Sequence, residues 1–302
     1  LRVLVAFAVV YVVWGSTYLG MKLVVDVVPP MLAMGTRFVL AGAMLVLLGR
    51  VRGEVLPNAK EWRSSFVIGA LLFVAGNGSI AWAESHGLAT GTAALLVATM
   101  PLWMTLFARL RGERTPPAAL AGLAIGFVGT ALLVRPDGGA PLPALAVTLG
   151  AAGWALGSLL ARELALPKGG ATAAGAQMFA GGVLMIAVGL VRGEAMPTHI
   201  TTTAALGWVY LVTFGSVLGF SAYSYLLRNV APAKVGTYAY VNPVVAMLLG
   251  VFVGEAIDAT MMCAMALVLG GVAVTVATRR APVARVAPAT MAIDGRKSAP
   301  AR

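Results

Sequence analysis

Charge is scarce in this 302-residue chain. Only 11% of its residues are charged and 60% are hydrophobic, and the mean hydropathy is +0.90. A soluble globular protein carries about 25% charged residues, so this chain has too little polar surface to face water on all sides. The composition excludes an ordinary soluble enzyme, a nucleic-acid-binding module and a disordered protein.

Reactive and metal-binding side chains are also few. The single cysteine, Cys263, excludes an internal disulfide framework, and the two histidines, His86 and His199, lie far apart with no metal-ligand spacing. The chain has no Walker A sequence, no His-Glu-x-x-His motif and no evident nucleophile–base pair. The sequence therefore predicts no enzyme activity, no catalytic residue, no metal and no cofactor.

Long apolar runs dominate instead. A helix that crosses the hydrocarbon core of a bilayer needs about 20 apolar residues, and the chain offers ten such blocks joined by short connections rich in Pro, Gly and charge. The predicted spans are Val3–Val25, Met31–Gly49, Ser64–Ala83, Thr90–Ala108, Pro117–Val134, Leu142–Ala161, Ala171–Val191, Thr203–Leu227, Pro232–Val253 and Ala256–Thr278.

The basic residues divide unevenly between the two ends of these spans. All but four of the 22 Lys and Arg fall on one side, the exceptions being Lys22, Arg37, Arg135 and Arg192. By the positive-inside rule this side is cytoplasmic. Both termini are therefore expected in the cytoplasm, with residues 279–302 as a disordered basic tail.

The two halves of the chain repeat each other. At an offset of 142 residues Pro101 matches Pro243, and at an offset of 140 Trp14 matches Trp154, with further collinear matches at Ala89/Ala231, Gly112-Glu113/Gly254-Glu255, Gly129/Gly271, Leu19/Leu159, Lys22/Arg162, Gly35/Gly175 and Gly42/Gly182. Each copy holds five spans, an odd number, so the second copy enters the membrane inverted. Inverted repeats are typical of secondary transporters, and the predicted repeats are residues 1–134 and 142–278.

Several of these motifs resemble a known family. The stretches Trp14-Gly15-Ser16-Thr17-Tyr18, Pro29-Pro30 and Arg37-Phe38 are similar to the first two helices of the EamA branch of the drug/metabolite transporter superfamily. The two halves that end in Gly112-Glu113 and Gly254-Glu255 resemble its EamA repeats, and Ser216, Tyr223 and Tyr238–Pro243 resemble its second repeat. The resemblance implies an all-α fold of ten transmembrane helices around a central cavity built roughly from helices 1, 3, 4, 6, 8 and 9.

Two tryptophans stand out because they fall near the middle of spans. Trp14 and Trp154 are related by the repeat, whereas tryptophan normally favours the membrane interface. They are predicted to line a substrate site, where an indole face attracts an ammonium group; the alternative is helix packing alone. Trp103, in span 4, is a third candidate.

Polar side chains within spans supply further candidates for substrate binding. Asn242 precedes Pro243 in span 9 and shares a helix face with Tyr238, four residues earlier. Asn77 and Ser158 are buried polar candidates with interhelical hydrogen bonding as the alternative. Pro101 and Pro243 kink their helices, either as structural kinks or as gating hinges.

Three ionisable residues are candidates for gating or coupling. Arg37 lies about six residues inside span 2 and is expected to pair with Glu84 or Asp26, with direct ligand binding as the alternative. Glu84 and His86 end span 3, either as a proton-coupling group or as an ordinary solvated loop. Glu113 and Glu255 are expected to cap the helices that follow them, helices 5 and 10.

These features predict a secondary transporter of the bacterial inner membrane that works by alternating access. The family resemblance implies export of small amphipathic metabolites, amino acids in particular. The open alternatives are a multidrug or lipid-intermediate exporter of the same fold and a non-catalytic membrane scaffold. The expected partners are a small-molecule substrate and membrane lipid, with no nucleic acid, and the protein is expected to be monomeric.

Overall fold

The computed structural model describes residues 1–134, 140–230, 235 and 237–278, with the backbone alone at 224, 227 and 228. This part of the chain is helical and contains no strand. Its helices are α1 Arg2–Val25, α2 Pro30–Val51, α3 Ala59–Ser85, α4 Thr90–Leu110, α5 Pro117–Val134, α6 Pro141–Leu160, α7 Gly170–Val191, α8 Thr202–Tyr223 with its continuation to Asn229, α9 Tyr238–Phe252 and α10 Ala259–Thr278. The predicted tail Arg279–Arg302, the start of span 9 at Pro232, and Arg135 and Lys234 lie outside the described residues.

The helices are long and apolar enough to define a polytopic membrane protein. Within the described residues, nine of them meet the length and hydropathy that a membrane span requires, and α9 is a shorter apolar helix. Large apolar side chains such as Leu47, Leu206 and Phe252 are exposed on the outside of the bundle. An apolar exterior of this kind suits contact with lipid tails, which carry no cost for exposed hydrocarbon.

Four helices end in the same way. Gly53, Gly112, Gly193 and Gly254 follow α2, α4, α7 and α9, and each has a φ between 76° and 89°, a left-handed conformation that glycine adopts without steric cost. A glutamate follows each of these glycines. The reversal of the chain directs that glutamate back toward the bundle rather than along the connection.

Three of these glutamates cap helices of the other half of the chain. The Glu54 carboxylate accepts a hydrogen bond from the backbone N–H of Thr172 at the start of α7 (2.8 Å), and Glu194 accepts one from Leu32 at the start of α2 (2.9 Å). Helices α2 and α7 therefore each cap the other. Free backbone N–H groups and the helix dipole favour a carboxylate at these positions.

The cap predicted for Glu255 is wrong. Its carboxylate accepts hydrogen bonds from the backbone N–H of Thr90 (2.8 Å) and the Thr90 hydroxyl (2.9 Å), at the start of α4 rather than of α10. Helix α10 is capped by Asp258, whose side chain accepts from the Met261 N–H (2.6 Å). Glu113 is exposed. The left-handed turn at Gly254 accounts for the difference, because it points Glu255 across the bundle.

Glycines let paired helices approach until their backbones touch. A Cβ added to Gly35 would lie 3.0 Å from the Gly182 carbonyl oxygen, and one added to Gly42 would lie 2.7 Å from that of Gly175. The sequence repeat relates Gly35 to Gly175 and Gly42 to Gly182, so these contacts between α2 and α7 are reciprocal. Such close approach is typical of small residues in membrane helices.

Four helices depart from regular α-helical geometry near the middle of the bundle. Helices α1, α3 and α8 contain π-helical segments at Val9–Val13, Ala70–Asn77 and Leu211–Leu218, a geometry that occurs frequently at functional sites. Helix α4 is interrupted by a turn at Ala98 and Thr99, directly before Pro101. These irregular segments surround the cavity described next.

Candidate functional site

A cavity of about 780 Å³ lies at the centre of the bundle, within the size range of small-molecule sites. Side chains from α1, α2, α3, α4, α6, α8 and α9 line it. The helices predicted from the family resemblance all contribute, and α2 joins them. The lining residues named in the sequence analysis are Trp14, Arg37, Asn77, Trp154, Tyr238, Asn242 and Pro243.

Trp14 is held in a cluster of aromatic rings on one wall. Its indole N–H donates a hydrogen bond to the Gly215 carbonyl oxygen (3.1 Å). The rings of Phe220, Tyr223 and Tyr238 lie with their centroids 5.1 to 5.2 Å from the Trp14 ring, within the range of favourable aromatic pairs. The hydrogen bond and the three rings fix the orientation of the indole.

Each of the two repeat-related tryptophans lies against a glycine of the other half of the chain. A Cβ on Gly76 of α3 would come within 2.6 Å of Trp154, and one on Gly219 of α8 would clash with the Trp14 indole nitrogen. Any larger residue at either position would push an indole out of its place. The wall is therefore shaped by glycine as much as by tryptophan.

A second chamber of about 670 Å³ adjoins the first. Both chambers share Trp14, Trp154, Phe220 and Tyr238, so these four rings form the boundary between them. Ser158 lies in the second chamber, where its hydroxyl donates to the Trp154 carbonyl oxygen (2.8 Å). A third space, lined by Ala174 and Phe220 among others, continues toward Arg52 and Glu54 at the end of α2.

The two asparagines that line the first chamber use part of their hydrogen-bonding capacity within the fold. The Asn77 amide donates to the Leu72 carbonyl oxygen at 3.4 Å. When the Asn242 amide is oriented to satisfy its neighbours, its nitrogen lies 3.2 Å from the carbonyl oxygens of Tyr238 and Tyr11. Asn242 is 7% exposed and precedes Pro243, which lies inside α9.

Arg37 lines the chamber without the acidic partner predicted for it. Within the described residues no carboxylate lies at salt-bridge distance from Arg37, and Asp26 instead pairs with Lys22 (2.6 Å). The Arg37 Nε donates to the Ser216 hydroxyl (3.0 Å), and the guanidinium carbon lies 4.6 Å from the Phe38 ring centroid. The expected Arg37–Glu84 or Arg37–Asp26 pair is thus a wrong prediction.

Trp103 and Pro101 lie outside both chambers. The Trp103 ring packs edge-on against Phe127 of α5, with centroids 4.8 Å apart. The Pro101 carbonyl oxygen accepts from the Thr105 hydroxyl (2.9 Å), while its neighbour Met100 reaches the first chamber. The repeat that relates Pro101 to Pro243 thus holds for the chain but not for contact with the cavity.

Glu84 and His86 have opposite environments. Glu84 is completely buried, and neither of its carboxylate oxygens has a hydrogen-bond partner in the described part of the chain. His86 is exposed, stacks on Trp82 with ring centroids 4.3 Å apart, and has its Nδ1 2.7 Å from the Trp82 carbonyl oxygen. The solvated-loop interpretation therefore describes His86 and not Glu84.

Some lining residues were missed by the sequence analysis. Phe220 borders all three spaces, and Thr17 and Met21 of α1 and Phe38 of α2 line the first chamber. Thr17 and Met21 follow Trp14 at helical spacing, a signal that would have identified them. No periodicity would have identified Phe220, because the π-helical segment just before it shifts the faces of α8.

The fold and cavity together define a polytopic helical membrane protein with a central chamber for a small molecule. A model of the EamA-like transporter family matches residues 1–135 and again residues 142–277. The chain belongs to this family, and it is a membrane transporter by class. The two matched segments cover nearly all of the described residues.

Several curated proteins are similar to this chain. The inner membrane transporter YedA of Escherichia coli (strain K12), itself uncharacterized, is 38% identical over 251 residues, which is 82% of each chain. A probable terminal-alkyne amino-acid exporter of Streptantibioticus cattleyicolor is 27% identical over 261 residues, covering 83% of this chain and 85% of its own. Protein PecM of Dickeya dadantii is 28% identical over 247 residues, covering 79% and 80%.

The fold is also found in a solved structure. A protein crystal structure that is 24% identical superposes with a TM-score of 0.60, covering 92% of this chain and 99% of its own. This likeness concerns the fold alone.

Proposed function

We propose that this chain exports small amphipathic metabolites, amino acids in particular, across the bacterial inner membrane by alternating access. The observation that carries the proposal is the central chamber walled by Trp14 and Trp154. Rigid indole faces bind apolar side chains and attract an ammonium group, and an amino acid presents both. The name of the Streptantibioticus relative, an amino-acid exporter, and that of YedA, an inner membrane transporter, support the substrate class and the location.

Alternating access requires two related halves, which we propose are residues 1–134 and 142–278 in inverted orientation. Reciprocal contacts support this proposal. Glu54 caps α7 while its counterpart Glu194, 140 residues later, caps α2, and the glycine contacts of these two helices are equally reciprocal. Contacts that remain valid when the two halves are exchanged are those expected of two repeats related by a pseudo-two-fold axis.

We propose that the basic face of the bundle, with both termini, is cytoplasmic. The third space reaches Arg52 and Glu54 at this face, so the structure corresponds to a state in which the cavity extends toward the cytoplasm. The described lining comes from a single chain, which supports a monomer surrounded by lipid as the working unit. The proposed role is movement of the substrate and not chemical conversion.

We propose that Glu84 couples transport to protons. A buried carboxyl group without a partner is stable only in its neutral, protonated form. The charged and titratable groups that act on it are Tyr18, Lys22 and Asp26 of α1 and Glu255 of the turn after α9. Tyr18 also lines the first chamber, so Glu84 lies close behind the wall of the cavity.

The proposed substrate site is tested by flux measurements with purified protein in proteoliposomes, over a panel of amino acids, nucleosides and cationic drugs. Trp14→Ala and Trp154→Ala should each lower amino-acid flux by roughly tenfold, because about 1.4 kcal/mol of lost aromatic contact corresponds to tenfold in binding. Trp14→Phe should retain part of the flux. Trp62→Phe, outside the cavity, is the matched control. Full flux in both alanine variants would show that the site lies elsewhere, and flux of cationic drugs alone would replace the proposed substrate class.

A further inference from the structure

The first chamber contains a single permanently charged side chain among its described lining residues, that of Arg37. Arg37 is 3% exposed. A buried charge within a membrane protein is costly unless a partner compensates it, and no carboxylate of the described part of the chain does so. The fold thus maintains an uncompensated cation at the wall of its central cavity.

The contacts that hold Arg37 orient it without neutralising it. Its Nε donates to the Ser216 hydroxyl at 3.0 Å, and Ser216 is itself completely buried. The remaining neighbours are the Phe38 ring and the Met34 sulfur, which lies 3.5 Å from Nη1. Within the described residues Nη2 makes no hydrogen bond, so part of the guanidinium group is left for a ligand.

Arg37 and Trp14 lie on either side of the same backbone segment. Gly215 accepts the hydrogen bond from the Trp14 indole, and a Cβ on Gly215 would lie 3.1 Å from the Arg37 Nη2. One small molecule can therefore reach the guanidinium and the indole face together. A guanidinium group binds a carboxylate through two parallel hydrogen bonds, and an indole face attracts an ammonium group.

We infer that Arg37 binds the carboxylate of the transported substrate, so that the chamber selects zwitterions and organic anions over amines that lack a carboxylate. The inference rests on the proposed transport function and specifies the polar end of its substrate. It also changes the role of Arg37 from the expected gate to a substrate-binding residue. Ser216 and Phe38 then act as positioning residues that hold the guanidinium in place.

The test compares three probes that differ only in their charged groups: L-phenylalanine, phenethylamine, which lacks the carboxylate, and hydrocinnamate, which lacks the amine. Flux of each is measured in proteoliposomes with wild type, Arg37→Gln, Arg37→Lys and the exposed control Arg192→Gln. Wild type and Arg192→Gln should favour the two carboxylates. Arg37→Gln should lower the preference for phenylalanine over phenethylamine roughly ten- to hundredfold, since hydrogen bonds to charged groups have this worth, and Arg37→Lys should restore part of it.

The ratio of the two fluxes separates substrate binding from a merely structural role, because damage to the fold lowers both fluxes equally. An unchanged ratio in Arg37→Gln, or an equal loss for both probes, would overturn the inference while leaving the proposed function standing. A wild-type protein that moves none of the three probes would refute the proposed substrate class, and the assignment of Arg37 with it.

Discussion

Two adjacent glycines of α10 allow the helix packing to be tested with a built-in control. A Cβ added to Gly271 would lie 2.5 Å from both the Gly122 carbonyl oxygen and the Gly126 amide nitrogen of α5, whereas a Cβ added to Gly270 has nothing within 4 Å. Ordinary carbon contacts begin near 3.4 Å, so Gly271→Ala must separate the two backbones by about 1 Å, because backbone atoms cannot rotate away. Overpacking of this kind costs about 1–3 kcal/mol.

The control removes the effect of helix propensity. Replacing a helical glycine by alanine stabilises a helix by up to about 1 kcal/mol, and this gain is common to Gly270→Ala and Gly271→Ala. We therefore expect the free energies of unfolding of the two variants to differ by about 1–3 kcal/mol, with Gly271→Ala the less stable. Unfolding in mixed detergent and SDS micelles, followed by circular dichroism, measures the difference. Equal stabilities would show that α5 and α10 do not pack through Gly271.

Two further predictions concern coupling and orientation. Glu84→Gln should abolish the effect of a pH gradient on flux while leaving substrate exchange intact, because an amide releases no proton; gradient-driven flux that persists in this variant would exclude Glu84 as the coupling group, and the exposed Glu113→Gln is its control. In a Cys263→Ser background, Arg111→Cys and Ile257→Cys should react with an impermeant thiol reagent from opposite sides of the membrane, since the repeats are proposed to be inverted. Reaction of both from the same side would refute the inverted arrangement.

The helices could be predicted because they depend on local properties of the chain. Apolar runs of about 20 residues specify membrane spans, and the glycine turns that end α2, α4, α7 and α9 are visible as Gly-Glu pairs. The sequence repeat also indicated which tryptophans belong together, and both Trp14 and Trp154 line the chamber. In each case the signal lies within one helix or recurs at a fixed offset.

The partners of charged side chains could not be predicted in the same way. Glu255 was expected to cap the helix that follows it and instead caps α4, about 165 residues earlier in the chain. Arg37 was expected to pair with an acid and instead contacts Ser216. Sequence proximity suggested each expected partner, but the connection between distant helices determines the real one.

What the sequence determined by itself is the class of molecule: a helical membrane protein of two related halves, because hydrophobicity and repetition are properties of residues read in order. Only the tertiary structure decided which polar groups are left without partners inside it. Arg37 and Glu84 are both ionisable residues in predicted spans, yet one faces the chamber and the other is enclosed behind its wall. That difference arises from helix packing across the bundle, where the contacts of a side chain depend on residues more than a hundred positions away.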